Sequence, residues 1–183
     1  MAYGAALAKA WEDIGKLSGS VFYSVPFMGE KYEIDVDNRM VCSAACNIPV
    51  KDQLVILLLH YVSGSLRGGY SPGSEWLSFK DIEGGEIYYP AFREGAIAIL
   101  LKKFGRDPQK LLSVMGRIKG RKVEAGDGAI EFNAFKGVPV RIVLWEADEE
   151  FEPEITILFD SNISRIFPME DIAVFSRLVA HSL

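Results

Sequence analysis

Cysteine and histidine are both scarce in this chain, with two of each in 183 residues. Cys42 and Cys46 stand in a C-x3-C spacing. That is too few thiols for the disulfide framework of a small secreted domain and too few for a structural zinc site. They are expected to be reduced and packed rather than metal-bound. His60 and His181 form no H-E-x-x-H, and neither has a cysteine placed for a nucleophile pair. A G-x-S-x-G elbow is missing as well. No catalytic residue, metal ligand or cofactor is therefore assigned. A small enzyme working with carboxylates and His60 stays compatible with these absences.

Long apolar runs are missing too. The longest, Leu54 to Leu59, falls far short of the roughly 18 residues that cross a bilayer, so no membrane partner is expected. The alanines of the Met1–Trp11 segment have no basic residues ahead of them. Lys9, Glu12 and Asp13 interrupt the stretch, which reads as a helix and not a signal peptide. A cytoplasmic location is expected. Clustered positive charge is the third absence: the net charge is −5 and the pI about 5.1. Apart from Arg117-Ile-Lys-Gly-Arg-Lys122, the basic residues are scattered. Nucleic-acid binding needs such clustering, so a protein partner or a small-molecule ligand is what remains.

What is present describes an ordinary globular chain, 49% hydrophobic and 25% charged. Residues 1–183 read as one domain, a length that buries about 70% of the unfolded surface. Leu7, Ala10, Trp11, Ile14 and Leu17 line one helical face, ended by Ser18-Gly19. Alternation at Val21, Tyr23, Val25, Phe27 and again at Tyr32, Ile34, Val36 predicts a hairpin around Met28-Gly29-Glu30. After the Asp37-Asn38 turn comes a short apolar piece, Met40-Val41-Cys42. Pro49 is placed to open a helix, and Val50 to Val62 is apolar nearly all round, the mark of a helix buried on every side.

Between Ser63 and Gly85 periodicity gives way to Gly, Ser and Pro. A stretch this long is either functional or packed down by its own aromatics. Pro90 is expected to open a helix through Phe104, and Asp107-Pro108 a shorter one ending before Gly120. The final third predicts strands at Arg121–Glu124, Ala129–Phe135, Val138–Trp145 and Ile155–Phe159, with turns at Gly126-Asp-Gly128 and Lys136-Gly137. Pro139 sits early in its strand, where a lost donor costs least. Pro168 opens a last helix with Ile172, Phe175, Leu178 and Val179 as its stripe. The predicted fold is α+β: an antiparallel sheet, from the N-terminal hairpin and the C-terminal meander, packed on a buried central helix and flanking helices.

Three segments hold the candidate site residues. Glu146, Asp148, Glu149, Glu150, Glu152 and Glu154 crowd the turn of the Leu144–Asp160 hairpin. They lack the glycine of an EF-hand loop and read mainly as a solvated turn. Glu146 and Asp160, at the edges of the flanking strands, are expected in a common neighbourhood. In the glycine-rich loop, Gly64 and Gly69 have the P-loop spacing, but Tyr70 stands where lysine is required. His60, near the end of the apolar helix, is expected to satisfy a helix-end carbonyl. Its functional alternative is a base facing the following loop, with Glu75 and Trp76 as carboxylate and aromatic wall. Tentative ligand-binding residues are thus His60, Glu75, Trp76, Glu146, Asp148 and Asp160. The loop is expected to fold over the sheet end that carries Glu146.

Ile56-Leu-Leu-Leu-His-Tyr61, Glu75-Trp-Leu-Ser-Phe-Lys-Asp-Ile-Glu-Gly-Gly-Glu-Ile-Tyr-Tyr-Pro-Ala-Phe92 and Leu144-Trp-Glu-Ala-Asp-Glu-Glu-Phe151 with Leu158-Phe-Asp160 together resemble the domain of unknown function 3786 family. That family is found mainly in anaerobic bacteria and methanogenic archaea. Some of its members add a segment of four clustered cysteines for an iron–sulfur cluster, which implies corrinoid or C1 metabolism; this chain lacks it. The resemblance implies a non-enzymatic accessory or cofactor-binding protein. The residues by themselves leave open a small enzyme built on His60, Glu75, Glu146 and Asp160, or a protein-interaction module using the acidic hairpin.

Overall fold

A computed structural model describes residues 3–17, 19–46, 48–68 and 70–183. Ser18 and Gly69, named above as a helix stop and a loop glycine, lie outside the described residues. Helix α1 (Gly4–Leu17) buries Ala10, Trp11 and Ile14 against α2 (Asp52–Leu66). Strands β1 (Phe22–Phe27) and β2 (Glu30–Asp35) form the expected hairpin. Its two turn residues, Met28 and Gly29, both have positive φ (50° and 85°), the backbone that matches the twist of paired strands. Strand β3 (Met40–Ser43) adds to the far side of β2.

Pro49 does not open α2. It bridges Cys42, while Ile48 and Val50 bond to Ser43 and Val41 on either side, an edge position where a missing N–H costs nothing. The helix begins at Asp52 and continues past Ser63-Gly64 to Leu66. Its apolar run is buried from Val55 to Leu59 and at Val62, as its composition requires.

Strand β4 (Trp76–Ser78) and a short 3₁₀ turn order the middle of the stretch expected to be irregular. Pro90 lies inside a helix instead of starting one. Gly84, at φ 81°, turns the chain into α3 (Gly85–Phe92). A π turn at Arg93–Ile97 then leads directly into α4 (Ala98–Phe104). Pro90 cannot bond the carbonyl one turn back, and the backbone widens just beyond it. Asp107 caps α5 (Pro108–Ser113) as expected, accepting the Lys110 N–H at 3.1 Å. After α6 (Met115–Ile118) come β5 (Arg121–Lys122), β6 (Gly128–Phe135), β7 (Val138–Trp145), β8 (Glu154–Asp160) and α7 (Met169–Ser182).

All the pairings are antiparallel, in the order β3-β2-β1-β6-β7-β8-β4, with β5 beside β6. This is the predicted α+β architecture. The two halves of the sheet meet through one paired position, Phe27 opposite Phe135, and through the Met28 N–H bonded to the Ala134 carbonyl at 2.9 Å. A β-bulge between Asn133 and Phe135 shifts the β6–β7 register there, so that Ala134 and Phe135 are both buried.

One face of the sheet is core. Ile130, Phe132, Val140, Ile142, Leu144, Ile155, Ile157 and Phe159 bury it together with α2 and α7. Phe135 stacks with Tyr61 of α2 and with Phe175 of α7. The opposite face carries the polar residues of β6, β7 and β8.

Candidate functional site: a cleft on the outer face of the sheet

In an antiparallel sheet, residues directly opposite each other point to the same side. Two adjacent rows cross the outer face in this way. The first runs Ser78, Leu158, Arg141, Glu131, Arg121 over β4, β8, β7, β6 and β5. In the second, Trp76 stands opposite Asp160, and Asn133 opposite Pro139. Arg121, Glu131 and Arg141 of the first row and Trp76, Asp160, Asn133 and Pro139 of the second, with Pro72, Gly73 and Lys119, line a cleft of about 420 Å³.

The charges within it are interlocked. Glu131 Oε1 accepts Arg121 Nη2 at 2.6 Å and Nε at 3.1 Å, and Oε2 accepts Arg141 Nη2 at 2.9 Å. Burial pushes the Glu131 carboxyl upward, but the bonds from Arg141 and Arg121 outweigh it and hold the group below its ordinary range. The Arg141 guanidinium carbon sits 4.2 Å from the centre of the Trp76 ring. Its Nε is buried and finds no acceptor among the described residues.

Asp160 closes the other end. It is only 2% exposed and accepts the Tyr70 hydroxyl at 2.7 Å, the Gly73 N–H at 2.6 Å and the Asn162 N–H at 2.9 Å. Burial, and then the Asp160 carboxylate, push the Tyr70 hydroxyl well above the usual phenol range. A Cβ at Gly73 would come within 2.2 Å of Ser161 Oγ, so a side chain there would require the Ser161 hydroxyl to move. Asp160 therefore fastens the 70–75 loop as the wall of the cleft.

The tentative residues divide among three places. Trp76 and Asp160 lie in the cleft. Glu75 is beside it but exposed, its carbonyl accepting the Ser161 N–H at 3.0 Å. Glu146 and Asp148 are at the opposite end of the β7–β8 ladder, where Trp145 pairs with Glu154. Six residues of strand, about 20 Å, separate that end from Asp160, so the loop does not fold over Glu146, and the expected shared cleft does not form. The Glu146 N–H bonds Asp127 at 2.8 Å. Asp148 Oδ1 accepts the N–H groups of Glu150 and Phe151, both at 2.8 Å, which shapes the turn.

His60 is in the third place. Its Nδ1 is paired with the Asp171 carboxylate of α7, so it does not serve a helix-end carbonyl: α2 runs six residues further, to Leu66. Cys42 is buried and Cys46 exposed, and both are free thiols. Among the described residues, no group of three or more His, Cys, Asp or Glu is placed to hold a metal ion. No helix among them is long and apolar enough to cross a membrane.

Residues 12–182 match the family model described as domain of unknown function (DUF3786), and the chain belongs to that family. No curated protein and no solved structure matches it.

Proposed function

We propose that this is a non-enzymatic accessory protein that binds a small organic molecule in the cleft beside Trp76 and Arg141. One observation carries the reading. Both oxygens of each carboxylate in the cleft are engaged, those of Glu131 by two arginines and those of Asp160 by three donors. A general base must have a free lone pair aimed at the substrate, whereas a binding site needs rigid walls and a few fixed polar groups. The cleft has the second character. The His60–Asp171 pair is not among its lining residues. A place in anaerobic, corrinoid- or C1-linked metabolism is what the family resemblance adds.

The test is native mass spectrometry of the freshly purified protein, with thermal-shift screening of small metabolites against the wild type and Trp76→Ala. Binding is expected to raise the wild-type melting temperature and to be lost in the variant. A ligand whose shift survives Trp76→Ala would place the site elsewhere, and turnover of a bound compound would overturn the non-enzymatic reading.

A further inference from the structure

We infer that the ligand of this cleft is a small organic acid, with one carboxylate held by Lys119, Asn133 and Arg141 and a flat or apolar body lying along Trp76 and Pro139. The inference rests on reading the cleft as a binding site and assigns the chemistry of its occupant.

The donors left over by the folded state are the first argument. Arg121 directs both of its bonding nitrogens at Glu131, and Arg141 uses only Nη2. Arg141 Nη1 makes no hydrogen bond among the described residues. Neither the Lys119 ammonium nor the Asn133 side chain has a partner among them, and all three residues line the same cleft. Buried nitrogens ordinarily find an acceptor, and the buried Arg141 Nε has none among the described residues, while Nη1 is left free to meet one.

Charge gives the second argument. The cleft sets Lys119, Arg121 and Arg141 against Glu131 and Asp160. One positive charge is left over, which a single carboxylate neutralises and a phosphate dianion would overshoot. Backbone geometry agrees: Lys119 ends α6 at φ 53°, a left-handed position usually given to glycine. A lysine there carries backbone strain, of the kind that clusters at functional sites.

The third argument is the apolar wall. Trp76, Pro72 and Pro139 contribute carbon surface beside the donors, and the ring next to a fixed guanidinium favours a flat, electron-rich body.

The test uses the full-length ¹⁵N-labelled protein and four probes: benzoate, benzamide, phenyl phosphate and inorganic phosphate. The reporter is the indole N–H cross-peak of Trp76, assigned by its loss in Trp76→Phe. Benzoate is expected to move this peak saturably, with affinity reduced about tenfold by Lys119→Ala, the usual scale for losing a charged hydrogen bond. Benzamide moving the peak with equal affinity would overturn the carboxylate assignment while leaving the binding reading intact. So would phenyl phosphate binding more tightly than benzoate. If neither the charged nor the neutral probes move Trp76, the binding reading falls with the inference. Unchanged backbone spectra of Lys119→Ala keep a folding defect from mimicking lost affinity.

Discussion

Arg141 reaches Trp76 across an intervening strand: β7 and β4 are not neighbours, and β8 lies between them. The register partner of Arg141 is Leu158, yet the guanidinium ends on the indole of Trp76. Glu131 holds it from the other side at 2.9 Å. The aromatic wall is thus positioned by a chain of contacts from β5 to β4.

Asp160 is expected to be the cleft's main structural support. Replacing it with Ala orphans the Tyr70 hydroxyl and the Gly73 and Asn162 N–H groups. The cost should be about 2–4 kcal/mol in urea denaturation. Tyr70→Phe removes one of these bonds and should cost about 1.5–3 kcal/mol, the range for a bond to a charged group. In Asp160→Ala, limited proteolysis should cut first within residues 67–75. A variant as stable and as resistant as wild type would show that the loop is held by something else.

Acid should weaken the arginine–glutamate row. The folded-state pKa of Glu131 lies below its ordinary value of 4.5. The group therefore adds stability above that pH and loses it as pH falls through the lowered value. Glu131→Gln is expected to be less stable than wild type at neutral pH, the difference shrinking below about pH 4. Parallel stability–pH curves for the two proteins would contradict this.

Lys119→Gly should separate stability from binding. Glycine relieves the left-handed backbone at φ 53° and should raise stability by about 0.5–1 kcal/mol. The same change removes an unpaired cation from the cleft and should weaken carboxylate binding. Chemical denaturation and the benzoate titration measure the two effects on one sample. Loss of stability would mean that the lysine side chain is held by the fold.

Leu57→Ala tests the central helix. Leu57 is 1% exposed at the middle of α2, and truncation should cost about 2–5 kcal/mol. A loss below about 1 kcal/mol would mean that the surroundings collapse into the space.

The sequence made most elements legible because strand alternation and helix caps are local signals. The β1–β2 hairpin, the Asp107 cap and the β7 limits follow from patterns within a few residues. The outer-face site was only half legible. Trp76 and Asp160 were singled out as site residues, but Lys119, Arg121, Glu131 and Arg141 were not. The signal for Glu131 and Arg141 was present as the one charged residue in each of two apolar strands around the Lys136-Gly137 turn. Counting outward from that turn with regular pairing, however, sets Glu131 opposite Ile142. Only the bulge near Ala134 brings it opposite Arg141, and nothing local in the sequence announces a bulge. The expected nearness of Glu146 and Asp160 failed for a related reason: one adjoins the hairpin turn and the other the open end of the ladder.

The single joint between Phe27 and Phe135 gives the sheet the mechanics of two plates riveted at one point. Ladder hydrogen bonds transmit shear from strand to strand, and here that transmission narrows to one pair and one neighbouring bond. Twisting of the β1–β3 plate should reach the rest of the sheet mainly through the shared core, while every residue lining the cleft belongs to the other plate or to its adjoining loops. Amide exchange should accordingly divide the sheet into two groups with separate opening energies. Insertions in the Asp37–Arg39 turn should be tolerated without disturbing the cleft.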